Sequence, residues 1–272
     1  MSSTLNMNYV NDYYPNFNPQ ATEIDFAGMT NLIRHSLVRK NLSDLGYKTV
    51  SFETEYDWVE IPDADIYYTV HMQGAFIQDL LNSTEFDSVL SETSALRLLT
   101  NAEEVSPSVK RLADRFDDLI GNIERAIKVP GPGKYQKKYQ QIMASLNNLE
   151  TVPSVPGPKF VYLHLSAPHP KTVLGPNGEF KPEKDQPVFV DSFTYLDKRM
   201  PEILTKIIGN SKIPPIIIVQ GDHGMHLFKN AEVDNFIAYY LPGAPKNLVY
   251  PTITPVNTFR LIFNAYFDGK YD

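Results

Sequence analysis

Short apolar runs that stop abruptly in polar loops constrain this chain more than any other feature. "KTVSFET", "KFVYLHL", "PPIIIVQ" and "NFIAYYL" are each long enough for one buried strand and too short for a free-standing helix. Helical patterns lie between them. Strands that are apolar throughout, alternating with helices, predict an α/β fold. Its sheet should be mostly parallel, with helices on both faces.

The helical patterns are placed by their punctuation. In "FAGMTNLIRHSLVRKNLSDLGYK", Met29, Ile33, Ser36, Leu37 and Leu45 share a helical face, and Gly46 supplies the stop. Residues 74–99 and 106–129 read as helical, the second opened by Ser106 and Pro107. "KYQQIMASLNNL" predicts another helix. So does "FVDSFTYLDKRMPEILTKIIG", where Pro201 is expected to kink or split it. Thr254 and Pro255 open a last one. "DADIYYTVHM" fits a strand or a helix start. Residues 1–23 show no period and read as an irregular segment, packed by its tyrosines. No internal repeat or strong boundary divides positions 1–272, so one domain is expected.

Composition limits the chemistry. With 272 residues, 42% hydrophobic and 21% charged, the chain can build a real core. A net charge of −7 argues against a general nucleic-acid binder. An anionic ester substrate stays open, since a metal can supply local positive charge. Cysteine is absent, which removes disulfides and thiolate ligands. No run approaches the roughly 20 apolar residues of a membrane helix. The N-terminus has no secretory pattern, so the chain as written reads as cytoplasmic.

Ligands of open α/β sheets collect at the carboxyl ends of the strands. "KFVYLHLSAPHP" carries His164 within its strand and His169 in the loop after it; "IIIVQGDHGMH" brings Asp222, His223 and His226. Four of the six histidines thus fall at the expected functional edge of one sheet. Glycines around Asp222-His223 would let a turn aim both at one point. A carboxylate oxygen beside an imidazole nitrogen suits Zn²⁺ or Mn²⁺ better than Ca²⁺, which remains allowed. The plainer alternative is a turn capped by Asp222. His169, between two prolines, could contact a substrate anion, bind metal or donate a proton; it could equally be a surface histidine. His164 could be a satisfied core histidine, and His226 is the weakest candidate. His35 and His71 read as structural.

Taken in order, "KFVYLHLSAPHP", the helix "FVDSFTYLDKRMPEIL", "IIIVQGDHG" and "NFIAYYLPG" resemble the C-terminal half of the sulfatase and alkaline-phosphatase-like superfamily. The nearest likeness is to bacterial membrane-anchored members related to lipoteichoic-acid synthases and phosphoethanolamine transferases. The resemblance implies an alkaline-phosphatase-like fold and metal-dependent hydrolysis or transfer of phosphate or sulfate esters. It makes Asp222 and His223 metal ligands, and His169 and His164 histidines that meet the substrate anion or a second metal. It also implies that this chain lacks the first strand, with its acidic ligand, and the hydroxyl or modified-cysteine nucleophile. The expected state is then a truncated domain of little activity, an edge open to self-association, and intact relatives with an extracytoplasmic domain. The alternative is a non-catalytic pseudoenzyme, or one half of a larger assembly.

Overall fold

The computed structural model describes residues 1–15, 26–70, 133–169, 171–182, 189–223, 226–228, 231–232 and 235–272. The helical patterns at 74–99 and 106–129, and His71, lie outside them. The chain divides into two compact units, one of residues 1–69 with 138–272 and one of residues 70–137, where the sequence suggests a single domain. Only Val70 and residues 133–137 of the second unit are described.

The first unit is mixed α/β. Strand β1 (Lys48–Phe52) lies between β2 (Ile66–Tyr68) and β3 (Lys159–Tyr162), parallel to both. Alternation along the strands sends side chains to opposite faces. Val50 and Phe52 of β1 and Val161 of β3 turn to one side. There they meet Ile142, Leu146 and Leu149 of α5 (Lys134–Thr151) and Leu196 and Ile203 of α6 (Phe189–Asn210). Phe160 and Tyr162 turn to the other side. They pack with Leu5 of α1 (Ser2–Asn6), Ile33 of α3 (Phe26–Arg34) and Phe259 of α7 (Pro255–Tyr266). Both faces of the sheet are therefore covered. No described helix is long and apolar enough to cross a membrane.

Four sequence expectations are corrected. The N-terminal segment is not irregular throughout: α1 is followed by α2 (Val10–Tyr13), and Thr4, Leu5, Asn6 and Met7 are buried. Tyr9 and Tyr13 do not pack it; both are exposed. Its anchor is Asn6. The side-chain amide donates to Ser2 O (2.8 Å) and Leu32 O (2.7 Å), and Oδ1 accepts from Leu37 N (3.0 Å). A polar residue with no period to read thus joins three helices.

The second correction splits the helix expected over 29–45. It breaks at His35, and Ser36 starts α4 (Leu37–Asp44) in extended geometry, its hydroxyl accepting from Arg39 N. Ser36 keeps helical spacing only because an N-cap follows two residues after the previous helix ends. Gly46, at φ +82, ends α4 as expected. Third, Pro201 does not split α6, which runs unbroken for 22 residues.

The fourth concerns the sheet. β4 (Ile217–Gln220) pairs antiparallel with β7 (Ile237–Tyr240), and among the described residues it does not join β1 and β3. A further antiparallel pair is formed by β5 (His226–Phe228) and β6 (Ala231–Glu232). Among the described residues the three-stranded sheet is thus wholly parallel, and the two separate strand pairs are antiparallel.

Candidate functional site

The site grows from the ends of β1, β3 and β4. β3 ends at Tyr162, so His164 lies just past the strand and not within it. Its ring is largely buried, and Nδ1 has no hydrogen-bond partner. Burial pushes the imidazole below its ordinary pKa. The Asp222 charge opposes that shift, while the Met1 amine and His169 reinforce it. His164 is thus favoured as a neutral imidazole, one nitrogen of which is uncommitted.

The chain leaving β1 is fastened beside it. Lys138 of α5 sets its ammonium 2.8 Å from Glu55 Oε2, a contact of opposite charges that lies off the hydrogen-bond direction. The Lys138 side chain is only 4% exposed. Gln141 Nε2 donates to Glu53 Oε1 (2.8 Å) and Thr54 O (3.2 Å). The Thr54 and Ser166 hydroxyls meet at 3.0 Å, tying the β1 exit to the β3 exit. A small cleft opens among Glu55, Lys138, Gln141 and His164.

Tyr56 follows at once. Its hydroxyl lies 3.3 Å from His169 Nδ1, and its ring meets the imidazoles of His169 (5.7 Å) and His164 (6.4 Å) edge-on. Burial raises the Tyr56 pKa, and the Glu55 and Asp222 charges add to it. Tyr162 is raised by burial and then by Asp222, and its hydroxyl is buried without a partner. Asp222 therefore acts through space on Tyr56, Tyr162 and His164 together. Although β3 and β4 sit in different hydrogen-bonded sheets, their ends face one region.

Beyond β4, Gly221 is closely approached by its neighbours. A Cβ there would run into the Asn235 side chain, whose Nδ2 donates to Gly221 O at 2.9 Å. Asp222 Oδ1 accepts from His223 N (3.1 Å), and Oδ2 is 3.8 Å from His223 Nε2. The two side chains are 51% and 72% exposed. Asp222 Oδ1 is thus engaged by the next backbone N–H, one part of the turn-capping alternative. The backbone of His226 is in β5, paired with Glu232; its side chain lies outside the described residues. Exposed His35 stands at the break between α3 and α4.

The donor types fit a borderline divalent cation, one carboxylate and one imidazole in adjacent positions. Their number falls short of a closed shell. Among the described residues no three His, Cys, Asp or Glu side chains come together as a metal site. Tyr56 and Lys138 were not marked by sequence. The Lys138–Glu55 pair joins positions far apart in the chain, which no local pattern could reveal.

Compared with protein-family models, curated proteins and solved structures, the chain matches none.

Proposed function

We propose that the chain is part of an alkaline-phosphatase-like domain that processes phosphate or sulfate esters with a divalent metal. One observation carries the proposal: Tyr56, His164, His169 and Asp222 gather at the ends of β1, β3 and β4. The order of sequence motifs that resembles the sulfatase superfamily supports it. Asp222 and His223 would hold the metal, which when bound supplies Lewis acidity to an ester oxygen. His169, held against the Tyr56 hydroxyl, would meet the substrate anion. Neutral His164 offers one donor and one acceptor at the edge of the cleft. Tyr56 sets the orientation of His169, because its hydroxyl and ring fix two sides of that imidazole.

Two adjacent ligands hold metal weakly compared with a complete shell. Calorimetric titration with Zn²⁺ and Mn²⁺ should therefore show weak binding that disappears in Asp222→Ala. Turnover of p-nitrophenyl phosphate and p-nitrophenyl sulfate should be slight. No metal binding, together with an unchanged Tm, would overturn the metal assignment. A second reading is a binding module without catalysis. Strong Asp222-dependent turnover would remove it.

A further inference from the structure

β4 and β7 pair with each other and, among the described residues, with no third strand. A two-stranded ribbon is marginal in water, and three or more strands make a sheet stable by itself. Gly221 N donates to Phe236 O, which fixes the phase of the ladder. Ile217 and Val219 then exchange bonds with Tyr240 and Ala238, and the backbone groups of Ile237 and Tyr239 point away from β4. Those groups form an outer edge with no hydrogen-bonded partner among the described residues. Edges of this kind are usually blunted by a charge, a proline or a bulge. Residues 236–241, "FIAYYL", carry no charge and no proline, and the β4–β7 register is regular. The chain as a whole carries −7, so an uncharged strip is where two copies meet no like-charged pair.

The two faces of β7 differ. On one, the Tyr239 hydroxyl meets Thr258 of α7 at 2.8 Å, which ties that face to its own chain. Phe236, Ala238 and Tyr240 share the other. There Phe236 is 64% exposed and Tyr240 39%. We propose that β7 pairs antiparallel with β7 of a second copy, about a two-fold axis at Ala238, to give a four-stranded sheet. The edge is self-complementary in that register. Ile237 lies opposite Tyr239 of the second copy, and each exchanges both backbone hydrogen bonds. Phe236 lies opposite Tyr240 of the second copy, in the closer pairing where side chains touch. The symmetry repeats both pairs, so each copy covers the other's exposed aromatics. An edge this short falls below the roughly 1,200 Å² of a stable interface, so the dimer is weak and concentration-dependent.

Sedimentation equilibrium of the full chain, up to about 100 µM, should show monomer and dimer in exchange. Phe236→Lys changes an exposed side chain, and circular dichroism should show the fold intact. It removes both aromatic pairs and should weaken the dimer at least about tenfold. Tyr240→Lys should do the same from the other end of the strand. The chain has no cysteine, so one introduced thiol reports on one place. At the axis the two Ala238 Cα atoms would stand about 4.5 Å apart, within disulfide reach. Ala238→Cys should therefore form a disulfide-linked dimer at least about tenfold faster than Val190→Cys, a more exposed position on α6. A chain that stays monomeric across the concentration range overturns the proposal. A dimer untouched by both lysine variants overturns the edge, and cross-linking no faster than Val190→Cys overturns the register about Ala238.

Discussion

At the end of β3, His164 is half-buried beside a cleft whose walls are tied to α5 by Lys138 and Gln141. At the end of β4, Asp222 and His223 are largely exposed and stand beside each other. The first place is preorganised: its geometry exists before any ligand arrives, because helix packing holds it. The second has donors but little support, so a bound cation or anion must itself supply the ordering. Sites that combine a stiff wall with a loosely held pair of ligands depend on the stiff wall for precision.

Mutations that loosen one wall at a time should break this contrast, and the largest effect belongs to the buried ion pair. Glu55→Ala leaves the Lys138 ammonium alone at 4% exposure and should cost about 3–5 kcal/mol in urea unfolding. The double variant Glu55→Leu with Lys138→Met should recover most of that loss. A small cost in the single variant would show that the β1 exit is not held by this pair. Next comes Ser36→Ala, which removes the cap of α4 and should cost about 1 kcal/mol by the same measurement.

The histidine at the stiff wall should give a pH signature. Burial holds His164 below its ordinary value, so the unfolded chain takes up a proton first as pH falls. Its contribution to stability is full above about pH 6.5 and declines below it, with a slope of at most about 1.4 kcal/mol per pH unit. His164→Asn should flatten that slope. Asp222 opposes the depression of His164, so Asp222→Ala should move its titration to still lower pH, read from imidazole proton shifts. An unmoved titration would separate the two strand ends. The smallest effect is on stability itself: His223→Ala, at an exposed position, should change unfolding by less than about 0.5 kcal/mol.

Much of the scaffold was legible in the sequence because its signals are local. The apolar runs at 48–52, 159–162 and 217–220 became strands, and Gly46 ended a helix as its left-handed backbone requires. The partners of those strands were not legible. Hydrophobicity placed β4 in a buried layer, but pairing direction depends on hydrogen bonds that no composition encodes. The histidines were visible as residue types at strand ends. Their environments were not: His164 lines a cleft with Lys138 and Gln141 of α5, while His223 is exposed. Tyr56 escaped notice for the same reason: an aromatic four residues past a strand gains meaning only when His169 comes from more than a hundred residues away.

Asn6 uses its amide fully, with two donors and one acceptor joined to three backbone groups. That completeness makes it a point of chemical ageing. Hydrolysis of the amide to a carboxylate replaces the donor with an acceptor and sets a negative charge against the Ser2 and Leu32 carbonyls. One atom exchanged, nitrogen for oxygen, would pry α1 from α3, and the buried amide is shielded from that reaction only while the helices stay closed over it.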